Sequence, residues 1–584
     1  MRASIWLSVR VRVVVSVLAA GALVAALGGL AGCDSGANGD GAAAAGRSAP
    51  AAPSEPIGDP AARAAAAIAA FTDEELVGQV LMPYAYGNDA TKVTGSSSSA
   101  NNQYAGVSTP AEMVSKYKLG GLILVGWSAD DPTAGTNKTT NVDSPEQIRK
   151  LTGGLHDAAR RNPGGAPLLI GTDQAYGAVT RIRSGVVQLP SAMAFGAAGD
   201  PAATEAAWKA AGGNLNAIGI NVDFAPVADV LGPRGSGVIG SRSFGGDPAA
   251  VAEQVAAAAR GLAAGGVAPA LKHFPGHGHT TADSHEELPV LAQDAAALDR
   301  DDLPPFLAGI KAGAGMVMSG HLDVKALDPG VPATFSSKVL IDLLCTKLGF
   351  TGVVVTDAMN MAPAKRWGPG EAAVRALVAG NDLVLMPPNL KQAQKGLLDG
   401  LKSGSLPRPR LVEAATRVLT LRYRLAATAQ PDMSTLNSPA DQAAAQTPSA
   451  AAVTVFRGTC SGPLVSGGVT ITGDGKWTQQ REWLTAALAQ QGIPVRAGGT
   501  SVRLLGYGDG SAPAGGAGGA GGAGVTVAMD TPYVLRQQPG TLVATYSSSQ
   551  ASMVALAAVL AGKAKAPGRS PVPVEGLPAS ACAR

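Results

Sequence analysis

Residues 269–285 read P-A-L-K-H-F-P-G-H-G-H-T-T-A-D-S-H, an apolar run of β type that turns at Lys272 into a stretch punctuated by proline and glycine. Pro275, Gly276 and Gly278 oppose both helix and strand interiors, so a short strand here hands its last residues to a loop. Four of the chain's six histidines (His273, His277, His279 and His285) lie in this stretch, together with Asp283. An imidazole exchanges a proton near neutrality, with an ordinary pKa of about 6.5, and a carboxylate two residues away can orient and charge it. Asp283 and His285 form such a pair, on a loop able to reach into a cleft.

The strand-then-loop pattern recurs along the chain. Apolar β-type runs begin near Val80, Gly121, Pro167, Asn221, Pro269, Gly315, Gly352 and Asp382, and Ala-rich segments of helical period separate them. Eight such repeats predict an α/β fold, a closed (β/α)8 barrel of TIM type over residues 61–426. Helix starts are marked by side-chain caps, as at Thr72 with Glu75 and Ser144-Pro145 with Gln147. Working residues of such barrels stand at the C-terminal strand ends, where this chain gathers Asp173, Asp223, Asp229, Lys272, His273, His321 and Asp357. For Asp223 and Asp229 capping and ligand contact are both open; His321 reads as structural. The Ser- and Asn-rich segment from Tyr86 to Ser108 is long for a βα connection and reads equally as a lid or as a disordered segment.

Residues 427–449 lose the apolar period and read as an interdomain linker. From 450 to 584, β-type runs near Val453, Val469, Val502, Val525 and Thr541 predict a smaller α/β sandwich domain. The Ala-Gly run from Ala514 to Gly524 precedes no helix at the spacing of a phosphate-binding turn, so no nucleotide site is read there.

The N-terminus carries Arg2, Arg10 and Arg12, then an apolar run from Val13 to Leu30, the layout of an export signal over residues 1–32. Leu30-Ala31-Gly32-Cys33 resembles a bacterial lipobox, which implies cleavage before Cys33, lipid attachment there, and anchorage on the outer face of the cell membrane. Residues 33–60, rich in Gly, Ala, Ser and Pro, are expected to be a flexible tether. Export permits a disulfide, and Cys460 and Cys582 are the candidates; Cys345 reads as a buried free thiol. The 46 basic and 43 acidic residues nearly balance, which excludes a polyelectrolyte footprint for nucleic acid and leaves a small or neutral substrate.

The run K-H-F-P-G-H-G, four variable residues, then D-S-H resembles the signature of the β-N-acetylglucosaminidase branch of glycoside hydrolase family 3. The resemblance implies His285 as general acid/base with Asp283 as its orienting partner. It extends to G-V-V-V-T-D-A-M-N-M at 352–361, which implies Asp357 as nucleophile at the end of the seventh strand. A carboxylate attacking the anomeric carbon opposite a proton donor is the chemistry of a retaining glycosidase. Asp173 and Arg181 match the ends of the family's D-Q-E-G-G-x-V-x-R segment, Arg242 matches the arginine of S-R-x-F, and Lys272 and His273 open the main motif. All five are implied to bind sugar hydroxyls. This chain departs from the pattern with Ala175, Tyr176 and Ala178, which leaves the pocket beside Asp173 open to question.

The implied activity is release of N-acetylglucosamine from non-reducing ends of glycans, muropeptides above all, with no cofactor and no metal. Three rivals remain. His277, His279, His285 and Asp283 are good zinc ligands in type. A histidine acid/base does not repel phosphate as a carboxylate does, so a phosphorylase could run on the same site. The altered D-Q-A-Y segment also admits a cell-wall lipoprotein that binds sugar without cleaving it.

Overall fold

The computed structural model describes residues 59–126, 141–233, 236–510 and 524–582. The signal, the tether as far as residue 58, Cys33 and residues 514–523 of the Ala-Gly run lie outside the described residues. A helix over Pro60–Ile68, capped by Asp59, opens the folded body.

Eight parallel strands close on themselves as the repeats predict. They are β1 (Leu81–Met82), β2 (Gly121–Ile123), β3 (Leu169–Thr172), β4 (Val222–Asp223), β5 (Ala268–Phe274), β6 (Met316–Ser319), β7 (Val353–Thr356) and β8 (Val384–Leu385). β2 to β7 pair in sequence order, β8 pairs β1, and bridges Tyr84–Ile123 and Val355–Leu383 complete the ring. Every residue of β2, β3, β5, β6 and β7 is buried, as a parallel sheet covered by helices requires. Parallel strands in a closed ring bring all the C-terminal ends to one mouth.

Two segments differ from the sequence reading. The segment read as a lid or as disordered contains a helix, Gly95–Ala105, capped by Thr94 and ended by Gly106 in the left-handed region at φ 65°. Asn101 replaces a core contact there: its buried side chain accepts from Tyr86 N–H and donates to the Tyr86 and Ser108 carbonyls at 2.9–3.1 Å. The expected linker likewise holds a helix, Pro439–Ala452, started by a Ser438–Asp441 capping box. Its small residues Ala445, Ser449 and Ala452 are buried, because alanine and serine let helices approach closely where larger residues would not. Cys345 is a free thiol, partly rather than fully buried.

The second domain has β9 (Thr454–Arg457), β10 (Val469–Gly473), β11 (Thr500–Leu505), β12 (Val525–Ala528) and β13 (Thr541–Ala544), in the order β9-β13-β12-β11-β10 with β9 antiparallel. Strand alternation divides its faces. Val455, Val525, Val527 and Val543 pack with Leu484, Leu488, Met553 and Leu556 of the helices Thr478–Gln490 and Gln550–Leu560. Phe456, Ala528, Leu542 and Ala544 face the other way and join the barrel's core. Cys460 and Cys582 are bonded, with Cα atoms 5.4 Å apart.

Candidate active site

The loop after β5 is placed by close backbone approach. A Cβ at Gly278 would lie 2.0 Å from Val230 O, and one at Gly276, where φ is 133°, would lie 2.8 Å from Asp302 Oδ1. Only glycine fits both positions. Gly232 N–H donates to Gly278 O at 3.1 Å, which ties the loop to the segment after β4.

Asp229, fully buried on that segment, takes three donors: His273 N–H at 3.0 Å, His273 Nδ1 at 2.8 Å and His277 N–H at 2.8 Å. Burial pushes the His273 imidazole well below its ordinary value, and the Arg242 guanidinium adds to the effect. A neutral ring held at Nδ1 leaves Nε2 for the cleft. Asp229 is therefore a positioning residue, a role that sequence reading left open.

Farther along the loop, His285 Nδ1 and its backbone N–H both meet Asp283 Oδ1, at 2.7 and 2.8 Å. Burial alone would raise the Asp283 carboxyl, but the two hydrogen bonds and the imidazole charge hold it below the usual carboxylate range. The carboxylate can thus stabilise an imidazolium and fix which ring nitrogen faces out. His277 is buried and bonded through Nδ1 to Thr280 Oγ1 and through Nε2 to Ser284 Oγ (2.5 and 3.2 Å). His279 turns elsewhere, to Asp302 at 2.8 Å. The four histidines therefore point to separate partners, unlike the shared ligand set that a zinc reading needs.

Asp357 follows β7. Its N–H donates to Ser319 O at 3.0 Å, and its carboxylate accepts from Ala358 N–H at 2.7 Å. Burial would raise its pKa, yet its polar surroundings, the Ala358 N–H among them, outweigh burial and keep the group below the ordinary value, hence ionised. His321 is bonded to Thr334 Oγ1 (2.9 Å) and Ala358 O (3.2 Å) and stacks on Phe335, a supporting role beneath Asp357.

Lys272 Nζ meets Asp173 Oδ1 at 2.8 Å, and Arg181 Nη2 stands 3.7 Å from Asp173 Oδ2. Burial opposes the Asp173 charge, but these cations hold its carboxyl down at about 2. Arg242 ends a 3-10 turn, Gly240–Arg242; its buried Nε has no partner among the described residues. Asp223 lies deeper: Oδ1 accepts Gln174 N–H at 2.9 Å, Oδ2 has no partner among the described residues, and burial lifts its carboxyl to about 7.

One cleft of about 740 Å³, open mouth included, is lined by Asp173, Arg181, Arg242, Lys272, His273, His285 and Asp357. Asn360 and Met361 also line it, two residues that sequence reading passed over. The departure at 175–178 does not reach it. Tyr176 takes a left-handed φ of 62°, and its ring lies buried, edge-on to Trp208 at 5.7 Å. The ring fills the core instead of the cleft.

A (β/α)8 barrel whose strand ends bring an ionised carboxylate and a carboxylate-oriented imidazole to one cleft has the groups of a glycoside hydrolase. The family model described as the glycosyl hydrolase family 3 N-terminal domain matches residues 73–421, and the chain belongs to that family. It is 40% identical over 271 residues to a β-hexosaminidase of Xylella fastidiosa, covering 45% of this chain and 78% of that protein. It is 35% identical over 342 residues to β-hexosaminidase A of Pseudoalteromonas piscicida, covering 54% of this chain and 55% of that longer protein. Among solved structures, a glycoside hydrolase family 3 β-N-acetylglucosaminidase from a Paenibacillus species superposes with a TM-score of 0.73 at 28% identity. The match covers 86% of this chain and 99% of that one, so it takes in both domains.

Proposed function

We propose that this chain is an exported, lipid-anchored retaining β-N-acetylglucosaminidase that releases N-acetylglucosamine from the non-reducing ends of peptidoglycan fragments. The observation that carries the reading is the shared cleft: Asp357, held ionised, and His285, bonded to Asp283 at 2.7 Å, line the same cavity. Asp357 attacks the anomeric carbon while His285 protonates the leaving oxygen; His285 then takes a proton from the incoming water, which releases the sugar and frees Asp357. Asp173, Arg181, Arg242, Lys272 and His273 hold the sugar hydroxyls. The β-hexosaminidase relatives support the sugar class; Cys33 and the apolar run before it support the anchor.

Turnover of an aryl β-N-acetylglucosaminide tests the reading. Hydrolysis is expected, and Asp357→Ala abolishes it while the protein stays folded. No turnover by the wild-type chain would favour the sugar-binding alternative. A phosphorylated sugar formed only when phosphate is present would assign the phosphorylase reaction instead.

A further inference from the structure

The turn that carries Arg242 is held from two sides. On the barrel side, Ser243 Oγ donates to Asp229 O at 2.7 Å, and Leu231 N–H donates to Gly245 O at 2.9 Å. On the other side stands the second domain. Ser241 Oγ donates to Asp530 Oδ1, just past β12, and Gly246 N–H donates to Pro571 O at 3.0 Å. The gap is narrow as well: a Cβ at Gly240 would lie 3.6 Å from Thr531 Cγ2 and 3.9 Å from Asp530 Oδ2.

Arg242 itself has little to hold it. Its bond to Val238 O, from Nη1 within its own turn, is long at 3.4 Å, and its buried Nε is unpartnered among the described residues. A guanidinium recognises hydroxyls only if its planar fork is aimed before the ligand arrives. The aim must then come from the turn, and the hydroxyl next to Arg242 in sequence is fixed by a carboxylate of another domain. That carboxylate is itself anchored, because its neighbour Met529 is buried among the apolar side chains that pack the second domain's sheet on its helices.

We infer that Asp530 is a positioning residue for sugar binding: through Ser241 it sets the turn that presents Arg242 to the cleft, so the second domain contributes to affinity without touching the substrate. This rests on the reading of the cleft as a sugar site. The interaction acts alike on bound substrate and transition state, so its loss raises KM and leaves kcat nearly unchanged.

The experiment is steady-state kinetics on an aryl β-N-acetylglucosaminide with the full chain, alongside thermal unfolding. Asp530→Ala is expected to raise KM about tenfold with kcat within about twofold, a loss of about 1.4 kcal/mol in binding. Ser241→Ala is expected to do the same, and the double variant no more than either alone, because both remove one link. Asp530→Asn keeps an oxygen acceptor for Ser241 and is expected to restore KM to within about twofold of the wild type. KM unchanged in folded Asp530→Ala, or lowered thermal stability with KM intact, overturns the inference. Failure of the wild-type chain to turn over the glycoside overturns the reading of the cleft instead, so the two failures are distinct.

Discussion

The two ends of the barrel both carry buried charge and treat it in opposite ways. At the N-terminal ends of the strands, Arg422 donates through Nε to Pro167 O at 2.9 Å, through Nη2 to Ala166 O at 2.7 Å and through Nη1 to Gln79 Oε1. Asp382, just ahead of β8, is enclosed by Val354 N–H at 2.9 Å and the guanidinium groups of Arg410 and Arg417 at 2.8 and 3.2 Å. At the C-terminal ends Asp229 is also saturated, but charged groups that line the cleft are not. Among the described residues, Arg242 Nε has no partner, and Asp357 accepts one hydrogen bond. Charge that the fold saturates serves stability; charge left partly open at a cleft serves a ligand.

The difference can be tested from each end. His285→Ala is expected to lower kcat/KM by about 10² to 10⁴, the usual weight of a positioned acid/base, with little change in thermal unfolding. Loss of stability in place of activity would mean that the upper end is structural too. Arg422→Met should do the reverse: three oxygens lose their donor, so unfolding free energy falls by about 3 kcal/mol while kcat/KM of the folded enzyme stays within about twofold. Denaturant unfolding and kinetics on the same samples decide it.

Tyr176→Gly probes the departure beside Asp173. The buried ring contributes about 3 to 5 kcal/mol and its left-handed backbone costs about 1 to 2, so the net loss is expected to be about 2 kcal/mol. Because the ring faces the core, kcat/KM should change by less than about twofold; a larger change would show that the segment shapes the cleft.

The last test is a pair of opposite pH dependences. Asp173 is held at about 2 in the fold, so its stabilisation is present above the unfolded carboxyl's pKa of about 4 and is lost as pH falls through about 2. Asp223 is raised to about 7, so its protonated form favours folding below about pH 4, and that contribution is lost as pH rises through about 7. As read by unfolding across pH, Asp173→Asn should flatten stability from about pH 4 down to about 2, and Asp223→Asn from about pH 4 up to about 7. Equal slopes in variant and parent would contradict the assigned environments.

Much of this could be read from the residues in order. All eight barrel strands and all five of the second domain were marked by apolar β-type runs, because a parallel strand covered on both sides needs continuous hydrophobicity. The helices Gly95–Ala105 and Pro439–Ala452 were hidden because neither has an apolar stripe. Asn101 is anchored by hydrogen bonds, and the second helix packs through alanine and serine. The family resemblance pointed to Asp283, His285 and Asp357, and His285 and Asp357 line one cleft. The three donors on Asp229 and the link from Asp530 to Ser241 join residues 44 or more positions apart, which no local pattern records.

The most direct test is to incubate the enzyme with a slowly released fluorinated N-acetylglucosaminide, then digest it and map the modified peptide. A glycosyl ester on Asp357 is the predicted result. A label on any other residue would assign a different nucleophile, and no label while turnover proceeds would contradict covalent catalysis by Asp357 and point to attack by the substrate's own acetamido group.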